Sequence, residues 1–204
     1  MSRRLIIVRH GRTAHNADGR FQGHLDTHLD DAGRSQAAVA AVELAAYTPS
    51  SIVSSDSMRA ADTAAALAAA TGLGVHLDKR LREVDVGLWT GLTGVEARAR
   101  FPDEYADWLA GLDTARGGGE TFKAVADRAA AAVGDHLGEV PEGGALVVFT
   151  HGGTARALTG WLLELPWEWC WRLSALGNAR RTVLVESRRG WRLAEFNAGA
   201  PSGR

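Results

Sequence analysis

The strongest apolar stretches of the 204-residue chain are two short unbroken runs, Leu5-Ile6-Ile7-Val8 and Ala145-Leu146-Val147-Val148-Phe149. With no alternation of polar and apolar positions, each run predicts a strand of a parallel sheet covered by helices on both faces. Each stops at a polar cluster, Arg9-His10-Gly11 after the first and Thr150-His151-Gly152-Gly153 after the second. Open α/β sheets bind ligands beyond the carboxyl ends of their strands, so these clusters are the first candidates for chemistry.

The intervening pattern supplies the covering helices. Residues 32–47 are Ala-rich, place Val39, Val42 and Ala46 at helical spacing, and follow a capping Asp30 or Asp31. A second Ala-rich helix begins after Ser54-Ser55-Asp56-Ser57, carries Arg59 in its first turn and ends at Thr71-Gly72. Ser51-Ile52-Val53 and Val75-His76-Leu77 read as short strands. Further helices are expected from Thr93 or Gly94 through Arg100, around Tyr105, Trp108 and Leu109, and after Gly153 to Leu165. Residues 121–137 carry Phe122, Val125, Ala129, Ala132, Val133 and Leu137 on one stripe. Two alternating runs, Thr182 to Glu186 and Trp191 to Phe196, predict an edge hairpin around Gly190. Residues 11–31 are polar and without period, as expected of a functional loop over the first strand end, and residues 81–94 form a Gly-punctuated segment holding Glu83 and Asp85. The alternation predicts one three-layer α/β/α sandwich over residues 1–197, with a mostly parallel central sheet and an antiparallel edge strand, followed by a flexible tail from 198 to 204.

Composition narrows the partners. Lys and Arg total 23 against 24 acidic residues, which gives no reason to expect nucleic acid or a membrane surface as a partner. No apolar run approaches the roughly 18 residues of a membrane span, and the chain enters its first strand at once, so a soluble, untargeted, cytoplasmic protein is expected. The single cysteine, Cys170, forms no internal disulfide and suits a reducing compartment. Trp161, Trp167, Trp169 and Trp171 cluster near the carboxyl end, where core packing is the first expectation and a homodimer surface the second.

Two buried strands ending in His-Gly, an Arg at a helix start and a carboxylate in a Gly-rich loop converge on one sheet edge as a phosphoryl-transfer site that needs no metal. The pieces occur together and in order: Arg9-His10-Gly11-Arg12-Thr13 with Asn16; Gln22-Gly23 with Asp26-Thr27 and Leu29; Ser54-Ser55-Asp56 with Arg59-Ala60 and Thr63-Ala64; Leu81-Arg82-Glu83 with Gly87, Trp89 and Gly91; Gly119-Glu120; and the cluster at His151. In this combination the chain resembles the histidine phosphatase superfamily, the phosphoglycerate mutase-like family. The resemblance implies that His10 attacks phosphorus and becomes a phosphohistidine, and its reference pKa of roughly 6.5 keeps much of it nucleophilic near pH 7. It implies that Arg9 and Arg59 hold equatorial oxygens with forked donors and that a cationic His151 is the second imidazole on the phosphoryl group. Asn16, Gln22, Gly23 and Gly152 are the expected phosphate and substrate contacts. Glu83 is the implied general acid and then base, with Asp85 its rival in the same loop. No metal and no cofactor is implied, and His15, His24 and His28 match no standard metal spacing. Two positions depart from the family pattern: Arg12, where Glu or Gln is usual, is expected to add positive charge at the mouth of the site, and Ser57, where Leu is common, to alter packing.

Within the family, Glu83 is followed by Val84-Asp85-Val86 and not by the Arg-His-Tyr of the mutases, and the chain is shorter than they are. This favours a phosphomonoester hydrolase acting on a small phosphorylated metabolite over a 2,3-bisphosphoglycerate-dependent phosphoglycerate mutase. The loop from Gln22 to Thr27, Gly177-Asn178-Ala179 and the ending from Trp191 resemble actinobacterial members that act on glucosyl-3-phosphoglycerate; another sugar phosphate is the broader expectation. Asn178 is then either a substrate contact or a turn residue. A noncatalytic phosphate-binding protein is the alternative of a different class, and its mark, loss of the nucleophile or the acid, is absent.

Overall fold

Both faces of the two apolar runs are fully buried, and that requirement sets the architecture. In the computed structural model, which describes residues 2–200, β1 (Arg4–Arg9), β2 (Ser51–Ser54), β3 (Val75–Leu77), β4 (Ala145–Thr150), β5 (Arg181–Ser187) and β6 (Gly190–Ala198) form one sheet in the order β3-β2-β4-β1-β5-β6. The first four strands are mutually parallel, and β5 runs against β1. The reversed strand therefore lies one place inside the edge, and its hairpin partner β6 takes the edge itself. Of the expected tail, Ala198 closes β6 and residues 201–204 lie outside the described residues.

Successive side chains of a strand point to opposite faces, and the core divides accordingly. Leu5 and Ile7 of β1 join Val53, Leu146 and Val148 under α6 (Phe122–Gly138) and α7 (Gly152–Leu162), with Ala129, Val133 and Leu158 as the helical contribution. Ile6 and Val8 face the other way, with Ile52, Val147 and Phe149, under α2 (Asp31–Ala45) and α3 (Met58–Thr71). A third cluster lies off the sheet: Trp89 is fully buried among Phe21, Phe101, Tyr105 and Trp108, beside α4 (Gly94–Arg100) and α5 (Pro102–Leu109). The tryptophans near the carboxyl end divide, with Trp167 and Trp171 packed on Phe122 and with Trp161 and Trp169 about half exposed.

One packing expectation is corrected. In α2 the apolar stripe through Val39 and Val42 faces outward, and the buried face is Gly33, Ala37, Ala40, Ala41 and Leu44. Small side chains let α2 lie close against both the sheet and α3, so the branched residues were left to solvent. The closest approach is at Gly33, where a Cβ would run into the carbonyl of Arg12, while a Cβ on Gly11 would stand 2.5 Å from the Gly33 carbonyl. The turn after His10 is thus seated on the first turn of α2 by backbone contact on both sides. Among the described residues no helix is long and apolar enough to cross a membrane.

Replacing a helical Gly by Ala ordinarily stabilises by about 0.5–1 kcal/mol. At Gly33 the contact with Arg12 reverses the sign, and Gly33→Ala is expected to destabilise by about 1–3 kcal/mol. A lowered urea midpoint with an unchanged m-value is the expected observation; an unchanged or raised midpoint contradicts the packing described.

Candidate active site

Register brings the two His-Gly clusters together. Arg9 of β1 pairs with Thr150 of β4, so His10 and His151 each stand one residue beyond the ends of adjacent parallel strands, with ring centroids 5.1 Å apart. Ser54 of β2 pairs with Phe149, which puts Ser55 and the start of α3, with Arg59, at the same edge. Three neighbouring strand ends thus converge on a cavity of about 250 Å³ whose walls include Arg9, His10, Asn16, Gln22, Gly23, Arg59, Glu83 and Gly152. His151 is fully buried directly behind His10.

The tautomer of His10 is set by its own neighbour. Nδ1 lies 2.7 Å from the Gly11 carbonyl, which can only accept, so Nδ1 carries the proton and Nε2 bears the lone pair. Burial, and then the charges of His151, Arg9 and Arg59, push the His10 pKa well below the ordinary imidazole range. His151 is lowered as strongly, by burial and then by Arg59 and Arg9. In the unliganded cavity the neutral form of His151 is therefore favoured. Its Nε2 meets the Ser55 hydroxyl at 3.0 Å, and Ser55 in turn donates to Ser57, leaving His151 Nδ1 buried without a partner. Ser57, at the N-cap of α3, thus ends a hydroxyl chain leading to His151.

The two arginines are held by carbonyls. Arg9 donates to Leu176 O at 2.7 Å, and Arg59 to Leu25 O at 2.6 Å and Gly23 O at 3.0 Å. A carbonyl satisfies a guanidinium donor without cancelling its charge, so the cavity stays electropositive. Burial lowers the pKa of both, and a guanidinium keeps its charge in proteins. The amide side chains are oriented by what their oxygens accept. Asn16 Oδ1 takes donors from Thr13 and from Asn178 Nδ2, and Gln22 Oε1 takes the hydroxyls of Thr13 and Thr27. Both NH2 groups are left free at the cavity wall.

Glu83 lines the same cavity. Its Oε1 accepts from the amides of Val84 and Thr154 at 2.9 and 3.0 Å, and its Oε2 from Gly153 N at 3.1 Å. Burial alone would raise its pKa, but the amides of Gly153, Val84 and Thr154, together with Arg59, outweigh burial and bring it below the usual carboxylate range. A Cβ on Gly153 would stand 2.7 Å from Glu83 Oε1, which is why the second glycine after His151 carries no side chain. Asp85 points elsewhere: its Oδ1 accepts from Gly87 N in a local turn, away from the cavity.

Several residues escaped sequence reasoning. Arg128 on α6 donates to the carbonyls of Arg80, Arg82 and Glu83 and pairs with Glu120, which organises the segment that presents Glu83. Arg82 makes a two-pronged pair with Asp56 at 2.7 Å, tying that segment to the start of α3. Thr13 caps the short helix α1 (Ala14–Ala17) in a reciprocal box with Asn16, and a Thr three residues before an amide side chain was the signal available for it. Asn178 donates to the His10 carbonyl and to Asn16, and it is not a cavity wall. Arg12 is corrected: it turns away to pair with Asp30 at 2.8 Å and contributes no charge to the cavity. His24 donates to the Glu83 carbonyl, whereas His28 faces Asp62.

A nucleophilic imidazole and a second one behind it, two carbonyl-held guanidiniums, and an amide-held carboxylate in the same cavity define a site for transfer of a phosphoryl group to histidine. The chain belongs to the histidine phosphatase superfamily, matching its branch 1 over residues 5–199. It is 41% identical to the glucosyl-3-phosphoglycerate phosphatase of Mycobacterium tuberculosis, over 98% of this chain and 96% of that one. It is 40% identical to the enzyme of the same name from Mycolicibacterium vanbaalenii, over 97% and 96% of the two chains. The solved mycobacterial glucosyl-3-phosphoglycerate phosphatase in complex with VO3 superposes with a TM-score of 0.90 at 41% identity, covering 97% of this chain and all of that one.

In nitrogen-detected NMR of the free enzyme, His10 and His151 are expected to remain neutral at pH 6, with Nδ1 of His10 protonated. A midpoint for either ring near the unperturbed value of about 6.5 contradicts the electrostatics described.

Proposed function

We propose that the chain hydrolyses a small phosphorylated metabolite of the glucosyl-3-phosphoglycerate type through a phosphohistidine at His10. The observation that carries this reading is the lone pair of His10 Nε2 in a cationic cavity that the Glu83 carboxyl group also lines. Nε2 attacks phosphorus as the bond to the ester oxygen breaks; Glu83, ionised in the free cavity, takes a proton from solvent as the phosphoryl dianion offsets the guanidiniums and passes it to that oxygen. Glu83 then takes a proton from water, the water oxygen attacks phosphorus, and the N–P bond breaks to release phosphate and free His10. Arg9, Arg59, the Gly152 amide and the free NH2 groups of Asn16 and Gln22 are the donors for the equatorial oxygens, with Gly23 lining their loop. An arriving phosphoryl dianion offsets the two guanidiniums, so His151 gains a proton at that moment and donates it from Nδ1.

The relatives named glucosyl-3-phosphoglycerate phosphatase, which match almost end to end, support the substrate class. The lone buried thiol of Cys170 supports a reducing cytoplasmic setting.

His10→Ala is expected to abolish hydrolysis of both 4-nitrophenyl phosphate and glucosyl-3-phosphoglycerate. Glu83→Gln is expected to lower kcat/KM for glucosyl-3-phosphoglycerate by about 10²–10⁴, the usual yield of a positioned proton donor. The same variant falls far less on 4-nitrophenyl phosphate, whose leaving group departs without a proton. Wild-type rates in His10→Ala, or equal losses on the two substrates in Glu83→Gln, contradict the assignment.

A further inference from the structure

Two cations line the cavity besides those assigned to the phosphoryl group. Arg116, in the tight turn Arg116–Gly118, and Arg156, on α7, line the same cavity as His10 and Glu83. Arg116 is only 6% exposed. Among the described residues neither guanidinium donates a hydrogen bond or meets a carboxylate at ion-pair distance, and both Nε atoms are buried without a partner. Both planes are instead held by aromatic rings. Arg116 lies 5.0 Å from the Phe122 ring centroid and 5.7 Å from that of Trp108, and Arg156 lies 5.1 Å from that of Trp171. The remaining arginine on the cavity wall, Arg20, is already committed to Gly91 O and Glu96. Glu83 is the carboxylate that attracts both, yet its oxygens are taken by the amides of Val84, Gly153 and Thr154. Burial pushes the Arg116 pKa down to about 10, which leaves it charged near neutrality.

A buried guanidinium left unpaired is strongly unfavourable unless a ligand supplies its partner. The charge of the cavity indicates which ligand. Arg9, Arg59, Arg116 and Arg156 stand against Glu83 alone, an excess of three positive charges with both imidazoles neutral. A phosphomonoester dianion offsets only two of them, so the cavity stays positive beyond the phosphoryl group and favours a further negative group on the ligand.

We propose that Arg116 and Arg156 form a second anion subsite that takes the carboxylate of the substrate while its phosphoryl group is held at Arg9, His10 and Arg59. The subsite rests on the phosphatase reading of the site and adds its selectivity: phosphomonoesters bearing a monocarboxylate are preferred over otherwise identical neutral ones. Planar forked donors suit a planar carboxylate, and the aromatic walls hold those donors without supplying a competing anion.

The test is the ratio of kcat/KM for glucosyl-3-phosphoglycerate to that for its analogue in which a hydroxymethyl group replaces the carboxylate. The wild-type ratio is expected to be about tenfold to a hundredfold, as for a charge-assisted hydrogen bond lost with its partner. Arg116→Met and Arg156→Met each bring the ratio down towards one, mainly through KM for the carboxylate substrate, and Arg116→Lys recovers part of it. A wild-type ratio near one, an unchanged ratio in both Met variants, or a parallel loss on both substrates overturns the subsite. If a Met variant does not fold, the wild-type ratio and the Lys variant still decide. Wild-type turnover of 4-nitrophenyl phosphate reports on the phosphatase reading alone, so failure of the subsite and failure of that reading are separately visible.

Discussion

Arg59 is buried and Arg9 partly buried beside two imidazoles at the carboxyl edge of the sheet, and their donors end on main-chain carbonyls of Leu176, Leu25 and Gly23. That choice of acceptor governs the rest of the site. Carboxylate partners would have neutralised the cavity, and water would have screened it. Carbonyl oxygens satisfy the donors and leave the positive field directed at the space between them. The sheet makes the arrangement affordable, because strands covered on both faces are rigid enough to hold loops whose backbone oxygens point inward.

The same field explains the protonation states. Buried and with two guanidiniums nearby, His10 and His151 are held neutral, which is the form in which one of them can act as a nucleophile. Glu83 experiences the opposite effect, ionised by amides at the start of α7 and by Arg59. The donors are in place before substrate arrives, so no reorganisation is needed as charge develops on the transferring group. Thr13, Thr63 and Asn178 serve this end without lining the cavity: Thr63 accepts from Gly11 N, Thr13 fixes Asn16 and Gln22, and Asn178 holds the His10 carbonyl.

Much of this was legible in the sequence, because hydrophobic patterning and register carry local information. The two unbroken apolar runs marked central strands, and the residues just beyond them, His10 and His151, were marked by position alone. Capping signals located α2 and α3. What escaped depends on contacts between distant segments. The buried face of α2 is its Ala side, since close helix packing outweighed the hydrophobicity of Val39 and Val42. Arg12 turned to Asp30, a partner 18 residues on, and Arg128 reached back to carbonyls 45 and more residues earlier. Arg116 and Arg156 share a cavity although no spacing rule joins them, because a turn and a helix meet there only in the folded chain.

The central claim, that a buried electropositive edge turns His10 into the phosphoryl acceptor, is tested most directly by acid-free rapid quench of the enzyme with labelled glucosyl-3-phosphoglycerate. The account predicts a base-stable, acid-labile phosphoenzyme that forms within one turnover, maps to His10 and disappears as phosphate is released. Steady turnover with no phosphoenzyme, or with the label on any other residue, would contradict it.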